Sequence, residues 1–189
     1  MSKLILHLCA DIGSDSMPYK LAGCEVSCVG KDIGVENYHP PKGVYGIIAN
    51  PPCTMFSGVR TTARIPRDLE AGMFLVKECL RIIWECQYKL SSPNSKQSPL
   101  KFWALENPAP GLLRWFLGNP SFVYQPYEFG ENYSKKTALW GIFNHPKKQL
   151  LFNPVKGNSL AMKYNRSESN CKRSMCSAKF AKAFFEANP

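Results

Sequence analysis

The chain has 189 residues, 44% hydrophobic and 20% charged, a balance that fits one soluble domain able to bury a core without disulfides or structural metals. It contains no apolar run of about 18 residues, which excludes a membrane-spanning helix, and its first apolar run leads to no small-residue cleavage site, so an intracellular, cytoplasmic protein is expected. The net charge of +10 is unevenly placed: from Ser134 onward eleven lysines and arginines face two acids, a net +9, while the first 133 residues are nearly neutral. A basic segment on a neutral body predicts a polyanionic partner, because Lys and Arg contacts to phosphate release counterions. A lysine-rich solvated surface would give the same charge.

In chain order, Leu4–Leu8 is a short apolar run ending at the turn Asp11-Ile12-Gly13-Ser14-Asp15, followed by a brief helical piece to Gly23. "CEVSCVGKD" alternates and is rich in Val, predicting a second strand that ends at Asp32. "GVYGIIAN" predicts a third strand, stopped at Asn50-Pro51 because proline cannot continue a central ladder. Asp68 is the expected N-cap of a helix with apolar positions Leu69, Met73, Val76, Leu80 and Ile83, ending near Leu90. The polar stretch 91–99, "SSPNSKQSP", reads as a flexible surface loop. "LKFWALEN" predicts a buried strand closed by Asn107-Pro108, then a short helix at Leu112–Leu117, strands in "FVYQPYEF" and "TALWGIF", and a final amphipathic helix in "AKFAKAFFEA". The alternation predicts a single α/β domain over 1–189, Rossmann-like, with a mostly parallel sheet and helices on both faces.

The expected chemistry lies at the carboxyl ends of these strands, where open α/β sheets bind ligands. Asp11 and Gly13, Asp32, Asn50 with Cys53, and Glu106 with Asn107 all fall there. The glycine turn and the acid after the second strand suit a nucleoside-containing cofactor, although a tight structural turn explains Gly13 equally well. The eight cysteines show no CxxC pair and no zinc spacing, so no metal is expected, and most read as packing residues. Cys53 differs from the rest. Two prolines stiffen the chain before it, and the loop after it brings Arg60, Arg64 and Arg67, cations that favour a thiolate. Glu106 closes the apolar run "FWALE", where a solvated acid is not expected, so its carboxyl is a candidate proton donor with a raised pKa.

"NPPCTMFS" resembles the Pro-Cys motif of cytosine-C5 DNA methyltransferases, "ALENPAPG" their Glu-Asn-Val motif, and "YSKKTALWG" a variant of the basic motif that precedes a strand. Order and spacing match over about residues 4–144, and "RSMCSAKFAKAFFEAN" resembles the last family helix, which returns to the cofactor site. The resemblance implies a methyltransferase fold and S-adenosyl-L-methionine as cofactor. It also implies that Cys53 adds to C6 of a cytosine while Glu106 protonates N3. Asp32 would hold the cofactor ribose and the turn carrying Asp11, Gly13, Ser14, Asp15 and Ser16 its methionine end, with Asn50 and Pro51 at the neighbouring strand end. Arg60, Arg64, Lys135 and Lys136 would contact DNA, and Gly58 would hinge the Ser57–Arg67 loop over a cytosine that is flipped out or already unpaired.

Three departures stand out. Cys9 and Asp11 replace an aromatic residue and a glycine of the first motif, proline follows Glu106-Asn107 where the family has valine, and lysines replace the arginines of the basic motif. Residues 142–172 form a short basic segment where family members commonly insert a target-recognition region, which leaves room for a separate specificity subunit. Asn50-Pro51-Pro52 also resembles the Asn-Pro-Pro-aromatic motif of amino-group DNA methyltransferases, but Cys53 cannot stack on a base as the aromatic does. C5 modification of a free cytosine nucleotide, or a nucleic-acid-binding protein on an inactive methylase fold, are the alternatives.

Overall fold

A computed structural model describes residues 2–10, 12–58, 60, 63–89, 100–150 and 175–189. Asp11, the 91–99 stretch and most of the 142–172 segment therefore lie outside the described residues. Strands β1 (Leu4–Leu8), β2 (Glu25–Val29), β3 (Val44–Ala49), β4 (Phe102–Pro108), β5 (Phe122–Tyr124) and β6 (Thr137–Ile142) form one mixed sheet in the order β2-β1-β3-β4-β6-β5. The first four are parallel, with β6 antiparallel to β4 and β5 antiparallel to β6. The chain runs outward from β1 to β2 and returns to β3 on the other side of β1, so the strand order reverses between β1 and β3, the place where such sheets bind ligands.

Both faces are covered, as the near-continuous apolar strands require. On one face α2 (Leu69–Trp84) lays Val76, Cys79, Ile82 and Ile83 against Leu6, Leu8, Ile47 and Leu105. Asp68 caps it, accepting from the Ala71 backbone N–H at 2.8 Å, and a π-helical turn, Glu85–Lys89, extends it. The short α3 (Arg114–Leu117) packs on this same face through Leu113 and Leu117. On the other face α1 (Met17–Leu21) and α4 (Ala178–Ala187) bury Tyr19, Phe180 and Phe184 against Ile5, Ile48, Phe102, Ala104 and Leu139. Period-2 alternation along β4 therefore turns Phe102, Ala104 and Glu106 toward α4, and Trp103, Leu105 and Asn107 toward α2.

Three elements differ from expectation. The second strand stops at Val29, because Gly30 starts a turn closed by the Gly34 N–H donating to the Gly30 carbonyl at 3.0 Å. "FVYQPYEF" keeps its strand only to Tyr124. Pro126, which has no N–H to offer a ladder, opens a 3₁₀ turn, Pro126–Phe129, and Glu128 reaches back to accept from the Gln125 N–H at 2.7 Å. The helix expected at Leu112–Leu117 is regular only from Arg114.

Candidate active site

Parallel pairing of β3 with β4, which sets Ala49 opposite Leu105, carries Asn50 and Glu106 to adjacent strand ends. The two ends are tied: the Asn107 side-chain amide, fully buried, donates to the Pro51 carbonyl at 3.1 Å. Two residues beyond that bond the chain turns sharply at Cys53, whose carbonyl accepts from the N–H groups of Phe56 (3.0 Å) and Ser57 (2.8 Å). The prolines deliver an extended backbone to this turn, and Phe56 anchors it in the core.

The arginines of the loop serve mainly to build it. Arg67 donates to the carbonyls of Met55 (2.7 Å) and Ser57 (2.9 Å), setting a guanidinium against the turn that begins at Cys53. Arg60 donates to Ile65 (2.9 Å) and Pro66 (3.3 Å) and closes its own loop, whereas Arg64 is exposed. Gly58 lies against the Pro110 carbonyl oxygen, where any Cβ would collide with it, so the glycine permits close approach of two backbones in this conformation.

Glu106 is half-buried on the α4 face, beside a cavity of about 20 Å³ that Asp15, Ile48, Phe180 and Phe184 also line, room for about one water. Burial raises its pKa above the ordinary carboxyl value; the Lys135 cation opposes that shift and the Asp15 carboxylate adds to it. Lys135 itself donates to the Met175 carbonyl at 3.4 Å. Lys136, one residue on, is exposed on the opposite side of the sheet edge with α3. Two lysines that look like one basic motif thus face two different environments.

The turn after β1 is held from several directions. Gly13 takes φ +70°, a left-handed conformation that glycine adopts without strain. The Ser14 hydroxyl donates to Asp15 at 3.3 Å and accepts from the Cys176 N–H at 3.1 Å, joining the turn to the start of α4. Asn50 donates its amide to the Asp15 carboxylate at 3.1 Å, bridging β1 and β3 where the strand order reverses. Its Oδ1 is buried and unpartnered among the described residues. Ser16 is buried and bonded to His7 at 2.9 Å and to the Gly13 carbonyl at 3.2 Å, which makes it a strut beneath the turn and keeps it off the turn's open side. Asp32 is exposed, folded near Gly30 and the Ala10 carbonyl at the ends of β2 and β1.

The thiols separate by environment. The hydrogen bond that Cys79 shares with Cys9 at 3.7 Å, together with burial, pushes the Cys79 thiol far up, and burial pushes Cys86 to about 12. Burial and the Asp15 carboxylate also push Cys176 well up. These three are neutral at physiological pH and poor nucleophiles. Cys9 closes β1 in the left-handed region at φ 53°. His7 and Cys176 join the site without a sequence signal; a lone histidine in an apolar strand and a cysteine at a helix start carry no spacing that announces Asp15 as their neighbour.

Neither protein-family models nor curated proteins give a match to this chain.

Proposed function

We propose that the protein transfers a methyl group from S-adenosyl-L-methionine to C5 of cytosine in DNA, with Cys53 as nucleophile and Glu106 as proton donor, on a methyltransferase variant of the α/β fold. The observation that carries this reading is a turn-held Cys53 and a Glu106 whose pKa burial raises, on neighbouring strand ends braced by the Asn107–Pro51 bond.

The cofactor fits by donor and acceptor chemistry. The unpartnered Asn50 Oδ1 and the Asp15 carboxylate suit a cationic, amino-bearing ligand, and exposed Asp32 suits ribose hydroxyls. When bound, it supplies an electrophilic methyl group. The chain's own residues do the rest. The Cys53 thiolate forms a bond to C6, and the electron pair displaced from the C5–C6 double bond makes C5 nucleophilic. Glu106 gives its proton to N3, so the charge does not build up on the ring; burial, by raising its pKa, favours the protonated form that this step needs. After C5 takes the methyl group, a base removes the C5 proton, the S–C6 bond breaks, the thiolate returns and N3 gives its proton back to Glu106. Both faces of the cytosine must be open for this, so the base is extruded or single-stranded, and exposed Arg64 and Lys136 are the cations available to its backbone. A partner subunit would supply sequence specificity.

Tritiated methyl transfer to cytosine-rich DNA tests the reading. Wild type labels DNA, Cys53→Ser does not, and Glu106→Gln slows labelling by about 10²- to 10⁴-fold. Equal labelling by Cys53→Ser removes the covalent route. No measurable affinity for S-adenosyl-L-methionine favours a nucleic-acid-binding protein without the activity.

A further inference from the structure

A second cleft, of about 290 Å³, opens on the α2 face of the sheet between β5, β6 and α3. This is near the lower end of small-ligand sites in size. Arg114, Asn119 and Lys136 bring exposed polar groups to it, and Ala109, Pro120 and buried Trp140 form its apolar wall. No acid lines it. Among the described residues neither Arg114 nor Lys136 forms an ion pair. The Arg114 guanidinium lies 4.8 Å from the ring of Trp115, an indole 73% exposed to solvent. An exposed indole beside Arg114, with Lys136 across the same cleft as that arginine, has the composition of a strand-binding groove, where phosphates meet cations and bases stack on rings.

The cleft is mechanically joined to the candidate nucleophile. The Leu112 N–H donates to the Phe56 carbonyl at 2.9 Å, and Phe116 meets Phe56 edge-on at 6.2 Å, so α3 rests on the turn that begins at Cys53. The Ala109 N–H donates to the Lys136 carbonyl at 3.0 Å, tying the other wall to the end of β4, two residues past Asn107.

We propose that this cleft is the subsite for the nucleotide flanking the target cytosine, with Arg114 and Lys136 on its phosphodiester and Trp115 under its base. The inference rests on the DNA reading above and names residues in that reading's strand path. A mononucleotide carries a phosphate monoester and no flanking nucleotide or phosphodiester for this cleft to hold, so the subsite is a feature of polymer binding.

Anisotropy titration of a labelled cytosine-containing oligodeoxynucleotide across a salt series tests it. The Arg114→Ala/Lys136→Ala double variant should lose about tenfold in affinity at low salt, and its slope of log K against log salt should be shallower by about 1.4 to 1.8, the value for two lost phosphate contacts. Trp115→Ala should lower affinity about five- to hundredfold with the slope kept. Lys42→Ala/Lys101→Ala removes the same charge from exposed positions at the opposite, amino-terminal edge of β3 and β4 and should keep the wild-type slope. The altered side chains are exposed, so circular dichroism and cofactor affinity should match wild type. An unchanged slope in the first double variant, an equal loss in the control pair, or no oligonucleotide affinity in wild type overturns the subsite. Wild type that binds with full slope but transfers no methyl group removes the proposed activity and leaves the subsite standing. Wild type that transfers methyl while the double variant keeps its slope does the reverse.

Discussion

Glu106 carries the clearest electrostatic signature in the site, because its pKa is raised chiefly by burial and secondarily by a second carboxylate, with Lys135 opposing the shift. A carboxyl whose folded pKa exceeds its unfolded one binds more protons in the native state. The contribution of this group to stability is therefore fully present below the ordinary carboxyl value and is lost as pH rises through the raised one. Glu106→Gln removes the titrating group, so its urea midpoint should fall less over that window than the wild-type midpoint does. Parallel midpoint–pH curves for the two proteins would contradict the burial of this acid. That an acid would be held here was legible, since the apolar run before Glu106 leaves little room for a solvated carboxylate. Its companions were not. Asp15 and Cys176 come from segments 91 residues before and 70 after it, and Lys135 is separated from Lys136 only by the pleat of a strand edge. Ser16 had the composition of a ligand contact and became a strut because His7, buried in β1, took its hydroxyl.

At the level of elements, the helix α2 could be read directly: a capping aspartate and apolar residues at 3 to 4 residue spacing are local signals, and local hydrogen bonding fulfils them. "FVYQPYEF" could not, because a proline and a capping glutamate outweighed β-forming residues over four positions. The helix α4 is the element on which the α4 face depends. Phe180 stacks on Tyr124 with ring centroids 3.6 Å apart and meets Phe129 edge-on at 5.1 Å, while the Ser177 hydroxyl caps the helix by accepting from the Phe180 N–H at 3.1 Å. Phe180→Ala should cost about 3–5 kcal/mol in urea unfolding. The turn after β1 that carries Gly13 and Ser14 should loosen with it, because the Ser14–Cys176 bond joins that turn to the start of the helix. A loss below about 1 kcal/mol would mean that α4 is not packed as described. Among the described residues no helix is long and apolar enough to cross a membrane.

For the molecule as a whole, the α/β class follows from alternating periodicities, but strand order does not. The return of the chain past β1 and the antiparallel insertion of β6 beside β4 are decided by long-range pairing, which no local pattern encodes. That topology brings the β1 turn, Asn50, the Cys53 turn and Glu106 to one edge, and it places Lys136 and α3 on the flank of the same edge. The proposed chemistry turns on a covalent bond between Cys53 and cytosine C6. DNA carrying 5-fluorocytosine reads that bond most directly, since fluorine at C5 cannot leave as a proton does and elimination of the enzyme is blocked. With S-adenosyl-L-methionine present, wild type should form a protein–DNA complex that survives denaturation and maps by mass spectrometry to Cys53, and Cys53→Ala should form none. Absence of the complex in wild type, or its formation through another residue, would rule out Cys53 as the nucleophile.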